Sequence, residues 1–209
     1  MSLLFKYSVA ALMGFGAAGA ASALTVVEEP GSNLAAFSYT VDAAARVITL
    51  YETWGVNTST DVLLKFIDWP HGYTAWRIDK YVTNETGASW TSFRHELLQS
   101  DKGSSPDDDG LSFAQLGNPH FPRTSDKFLD LYVDEVAHRD YLDFYNGVVA
   151  SGETVFFSYG LTNRRETDAT EPFYLRQTAD AVPEAATWAL LIAGFGMVGF
   201  ALRRRAAIA

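Results

Sequence analysis

Along most of the chain, apolar and polar residues alternate with a period of two, the period of a strand with one buried face. The stretch ARVITLYETW places Val47, Thr49 and Tyr51 on one face and Ile48 and Leu50 on the other. DVLLKFIDW is a near-continuous apolar run of strand length, and TAWRIDKYVTN puts Trp76, Ile78 and Val82 on one face, interrupted by Lys80. ETVFFSYG and PFYLRQT are rich in aromatic and β-branched residues, which favour strands. AQLGNPHFPRTS, broken by Pro119 and Pro122, reads as a loop. Turn signals fall between the runs at Asn84-Glu85-Thr86-Gly87, Asn146-Gly147 and Ser151-Gly152. Asn-Gly predicts a tight hairpin, because both residues tolerate positive φ. Seven or eight short strands with no helical period between them predict an all-β domain over residues 24–180, an antiparallel β-sandwich of two sheets.

The two ends follow other rules. Residues 1–23 have the zones of a secretory signal peptide: Lys6 as the positive flank, an uncharged and mostly apolar run from Tyr7 to Ala20, and the small-x-small site Ala21-Ser22-Ala23. At the other end, Ala185 to Leu202 carries no charge. At about 1.5 Å per residue this run spans roughly 27 Å as a helix, enough for one transmembrane crossing of a thin bilayer. Arg203, Arg204 and Arg205 follow, and the positive-inside rule places them in the cytoplasm as a stop signal. Both ends then put the domain outside the inner membrane. The run also contains Gly194, Gly196 and Gly199 in a G-x-G-x-x-G spacing. A dinucleotide site needs a strand before it and a helix with an acidic residue after it, and the arginine cluster leaves no room for them. No cofactor is expected.

Pro183-Glu184, then Thr187-Trp188-Ala189, an apolar helix containing Gly-Phe-Gly and a final arginine cluster resemble the PEP-CTERM sorting signal, in its PEPxxWA form. One position departs from that form, Ala185 standing where the second proline falls. The resemblance implies export, a tail held in the inner membrane, and processing by an exosortase in Gram-negative bacteria that make extracellular polysaccharide. It gives Pro183, Glu184 and Trp188 the sorting and processing role and makes residues 181–209 the sorting tail. KYVTNETGASWTSFRHEL also resembles, loosely, a strand-turn-strand segment of exported sandwich domains with such tails.

Composition narrows the chemistry. There is no cysteine, which excludes disulfides, thiolate zinc sites and a cysteine nucleophile within the chain. Residues 24–182 hold 12 basic and 24 acidic side chains, a net charge of -12, which repels phosphate backbones and argues against a nucleic-acid partner. Asp107, Asp108 and Asp109 before Gly110 resemble a calcium loop, but the EF-hand register puts Ser105 at the first ligand position and Leu116 where glutamate belongs. A solvated acidic loop is the default and an irregular calcium site the alternative. His71, His95, His120 and His138 lack metal-helix spacing, and no G-x-S-x-G elbow exists, so no catalytic or metal residue is assigned. Trp54, Trp69, Tyr73, Trp76 and Trp90 cluster in the first half. Most should be core, since large aromatics dominate cores. The turn-like DWPHGYTAW makes Trp69 and Tyr73 the candidates to face solvent and stack on sugars. The expectation is a non-enzymatic structural or adhesive protein of the cell surface or matrix. The alternatives are a polysaccharide-binding module and a secreted hydrolase.

Overall fold

Where core-facing and outward-facing residues alternate strictly, only an extended strand puts all of one set on one side. In the segment Val47–Gly55 the inward set is Ile48, Leu50, Glu52 and Trp54, all buried. In the computed structural model, residues 24–70, 72–106, 108–113, 121–134, 139–165, 171–182, 192–195 and 197 are described, without the side chains of 72–74. Among the described residues there are twelve strands. The first six are β1 (Thr25–Glu28), β2 (Ala36–Asp42), β3 (Val47–Gly55), β4 (Asp61–Ile67), β5 (Gly72–Glu85) and β6 (Ser89–Leu98). The rest are β7 (Leu111–Phe113), β8 (Thr124–Ser125), β9 (Phe128–Asp134), β10 (Tyr141–Gly147), β11 (Thr154–Asn163) and β12 (Phe173–Val182).

They form two sheets. The first has the order β1-β4-β12-β6-β10-β9, and the second β2-β3-β5-β11-β7, with β8 pairing to β11. Two features differ from expectation. The described strands number twelve rather than seven or eight: β7 and β8 have too few residues to show a period, and β2 and β9 are edge strands that bury little. The second sheet is also not wholly antiparallel, because β3 and β5 run parallel, Val47 opposite Arg77 through Gly55 opposite Glu85. The cause is a crossover. The chain leaves β3, adds β4 to the opposite sheet, and returns beside β3 in the same direction.

The sheets pack face to face through aromatic rings. Trp54 of β3 meets Trp90 and Phe93 of β6 at 5.3 and 5.1 Å between ring centroids, and Phe93 meets Phe157 of β11 at 4.9 Å. Interplanar angles of 67° and 56° at Trp54 are the edge-on geometry that the ring quadrupole favours. Trp54, Trp69, Trp76 and Trp90 are all buried. This overturns the expectation for Trp69, which is 3 % exposed. Its ring lies against Phe66, Phe173 and Trp76 and offers no open face to a sugar. Asp68, at φ 57°, turns the chain just before it. Tyr73 lies in β5, its side chain outside the described ones.

The Asn84 turn is built by the asparagine itself. Its Nδ2 donates to Ala88 O at 2.8 Å and Val149 O at 3.0 Å, and its Oδ1 accepts from the Thr86 amide. Asn146-Gly147, by contrast, is no hairpin loop. Asn146 has φ 58°, but Gly147 still pairs with Phe128 at the end of β10. A Cβ on Gly147 would lie 2.1 Å from Lys127 O, so close approach to backbone is what the glycine serves.

Residues 1–23 lie outside the described residues, as do Pro183, Glu184, Trp188 and Arg203 to Arg205. Of the predicted span, residues 192–195 and 197 are described, and they are helical. Among the described residues no helix is long and apolar enough to cross a membrane.

Candidate functional site

The outward faces of β2, β3, β5 and β11 meet in register and form three rows across the second sheet. Ser38 stands beside Tyr51, Tyr51 beside Tyr81, and Tyr81 beside Phe156. On one side runs a row of Ala36, Thr53, Thr83 and Thr154, and on the other Thr40, Thr49, Asp79 and Ser158. An aromatic stripe therefore lies between a row of small and hydroxyl side chains and a row of hydroxyl side chains that also holds Asp79. Strand alternation positions it: the same phase that buries Ile48 and Leu50 turns Tyr51 outward.

Tyr51 and Tyr81 stack at 5.4 Å with planes 9° apart, and Tyr81 meets Phe156 at 4.9 Å. Tyr51 and Tyr81 are 46 % and 39 % exposed, which is large for rings on a sheet. Since Tyr81 covers one face of Tyr51, the other face is turned toward β2. There the neighbours are Ala36 and Ser38, too small to cover it. The space they leave is an open groove of about 520 Å³ that Ser38, Tyr51, Thr53, Tyr81, Thr83 and Thr154 help to line. A flat ring wall beside hydroxyl groups is the arrangement that suits the C–H face and rim hydroxyls of a pyranose.

Beneath this surface, between the sheets, sits a second cluster. Lys80 is fully buried, with Nζ 3.2 Å from Glu52 Oε1, 3.4 Å from His95 Nε2 and 4.8 Å above the Phe93 ring. Glu52 Oε1 also accepts from Gln177 Nε2 at 3.2 Å, and Oε2 from Trp54 Nε1 at 2.9 Å. Burial pulls the Lys80 ammonium down to about 8, against the charge and hydrogen bond of Glu52, which pull it up. His95 is held well below its ordinary range, by burial first and by the charge of Lys80 second. Burial pushes the Tyr159 hydroxyl well up, and the Glu52 carboxylate adds to it. The Gln177 Oε1, His95 Nδ1 and Tyr159 hydroxyl have no hydrogen-bond partner among the described residues. Sequence reading passed over this cluster, yet it left a signal. Lys80 shares the phase of Trp76, Ile78 and Val82, and Glu52 that of Ile48 and Leu50. Two opposite charges thus fall on core-facing positions of different strands.

The acidic loop has another use. Asp109 Oδ2 accepts from Ser105 Oγ at 2.8 Å and Gln99 Nε2 at 3.1 Å, and Oδ1 from the Leu111 amide at 2.8 Å. Its carboxylate closes the turn into β7. Asp108 is exposed and Asp107 lies outside the described residues. Among the described residues no three His, Asp or Glu side chains gather to hold a metal ion. Of the histidines, His95 is core, and His71, His120 and His138 lie outside the described residues. The first sheet's outer face carries charges paired among themselves. Glu96, buried, accepts from Arg176, Arg139 and Ser104.

These features define a class: an all-β, two-sheet domain whose last strand, β12, runs straight into a short polar, apolar and then basic tail. Residues 181–205 match the family model of the PEP-CTERM protein-sorting motif. The motif implies an exported protein sorted through exosortase. No curated protein and no solved structure matches the chain.

Proposed function

We propose that the chain is a non-enzymatic component of the cell surface or extracellular matrix that holds extracellular polysaccharide in the groove beside Tyr51. The open face of Tyr51 above Ala36 and Ser38 carries this reading, because a flat ring beside hydroxyl groups can stack on the C–H face of a sugar and bury apolar area. It replaces Trp69, which lies in the core, as the sugar-stacking residue. The net charge of -12 between residues 24 and 182 favours a neutral or cation-bridged polymer over a strongly anionic one. The tail delivers the domain: Pro183, Glu184 and Trp188 serve sorting, residues 185–202 cross the inner membrane until exosortase acts, and Arg203 to Arg205 stop transfer. The exposed apolar side chains of Ile192, Phe195 and Met197 in the helical part of the tail suit that role.

The test is co-sedimentation of the full chain, in detergent, with insoluble extracellular polysaccharide. Tyr51→Ala should weaken binding at least about tenfold, the loss of one stacking contact and its buried area. Ala36→Tyr, which fills the groove, should do the same while the fold persists by circular dichroism. Binding that survives both changes refutes the groove. An intact Ala209 on the mature protein, read by mass spectrometry from native cells, refutes exosortase cleavage.

A further inference from the structure

We propose that Lys80 and Gln177 form an intramolecular amide bond that ties the two sheets together, with Glu52 as the proton-transferring residue. The amine and the amide come from opposite sheets, Lys80 from β5 and Gln177 from β12, and meet on one carboxylate oxygen. Glu52 Oε1 lies 3.2 Å from Lys80 Nζ and 3.2 Å from Gln177 Nε2. The attacking nitrogen and the leaving nitrogen therefore share a single acceptor. Oε2 is held by Trp54 Nε1, which fixes the carboxylate in place.

The surroundings restrict what this amine can react with. Lys80, His95 and Gln177 are each 0 % exposed and Glu52 is 2 % exposed, and rings of Phe93, Trp54 and Tyr159 belong to the same core. No outside substrate reaches Nζ, so any chemistry it does is with its neighbours. Burial also favours the free amine, the nucleophilic form of Lys80. These side chains are closed off from bulk solvent. Where the reacting atoms come within about 3–3.5 Å, held groups reach effective molarities on the order of 10⁵–10⁸ M, which makes a slow amide exchange feasible over the life of a folded protein.

The step balances. The Lys80 ammonium gives one proton to Glu52 Oε1, and its freed lone pair attacks Gln177 Cδ, forming the new C–N bond. The attacking nitrogen gives up a second proton by the same carboxylate. Glu52 hands each proton on to Nε2 before taking the next, the Nε2–Cδ bond breaks, and ammonium leaves. Lysine ammonium plus glutamine amide becomes a secondary amide plus ammonium, with no oxidant or reductant, and Glu52 ends as it began.

The experiment is mass spectrometry of the purified full chain, with its ends fixed by peptide mapping. The expected mass is lower than the sequence by one ammonia, about 17 Da. Digestion should yield a branched peptide joining the segment of Lys80 to that of Gln177. Glu52→Gln should restore the full mass and the two linear peptides. A wild-type chain at full mass with both peptides linear overturns the proposal, whether or not the variant folds. So does loss of a water with Lys80 joined to Glu52, or loss of ammonia located at Asn146-Gly147 as a cyclic imide.

Discussion

Replacing Glu52 by leucine leaves a lysine in the core with no counter-ion. The cost can be bounded from the lysine's own titration. Lys80 in the unfolded chain takes its ordinary value of 10.5. A buried ammonium without a partner escapes by losing its proton, so the penalty cannot exceed the cost of deprotonating it at the working pH. At about 1.4 kcal/mol per pH unit, that ceiling is about 5 kcal/mol at pH 7 and about 2 kcal/mol at pH 9. Breaking a buried pair usually costs about 3–5 kcal/mol, so at pH 7 the ceiling is nearly reached. The reference is the double variant Glu52→Leu with Lys80→Met, which also lacks the charge. Both variants leave Trp54 Nε1 and Gln177 Nε2 without their acceptor, so that loss cancels between them. The sign follows from proton counting. The folded Lys80 lies below 10.5, so in the window between, the unfolded chain binds more protons and stability rises with pH. Urea unfolding followed by tryptophan fluorescence should therefore show the double variant ahead by about 3–5 kcal/mol at pH 7 and by about 2 kcal/mol or less at pH 9. A gap under about 1 kcal/mol at pH 7, or one that widens as pH rises, refutes the reasoning.

Two further outcomes follow from local geometry. Gly147→Ala drives a Cβ to within 2.1 Å of Lys127 O and 2.9 Å of Lys127 C, so the β9–β10 pairing must shift. A loss of at least about 2 kcal/mol is expected in thermal unfolding, as for overpacking against rigid backbone. Asp109→Ala removes the acceptor of Ser105, Gln99 and the Leu111 amide, which should cost about 1–3 kcal/mol. Millimolar calcium should leave the melting temperature of the wild-type chain unchanged, since this carboxylate is already engaged. A calcium-dependent rise would restore the metal-loop reading.

The sheet faces were legible where alternation was long. Ile48 and Leu50 point inward as their period required, and Trp54, Trp76 and Trp90 went to the core as their size required. The parallel pairing of β3 with β5 was not legible, because it depends on where β4 goes and no local pattern encodes that. Trp69 misled for a related reason. The chain does turn beside it, at Asp68, but a turn does not say which way a side chain faces. The sugar-facing candidate moved to Tyr51, whose phase was read correctly in the sequence. Its neighbours across the sheet, Ser38 and Tyr81, come from strands that only register brings together. The tail was the most legible part, since sorting signals are read as linear order rather than as folded shape.

The position of β12 has a mechanical meaning. The strand lies inside its sheet, paired with β4 from Phe173 opposite Phe66 to Thr178 opposite Asp61, and with β6 from Tyr174 opposite Leu98 to Val182 opposite Ser89. The sorting motif begins at residue 181, within the last two residues of that strand. A pull along β12 loads both ladders in shear, so that their hydrogen bonds share the force. An edge strand pulled at right angles would give way one bond at a time. The domain is hung from its middle, and whatever grips the tail grips the part of the fold that peels least.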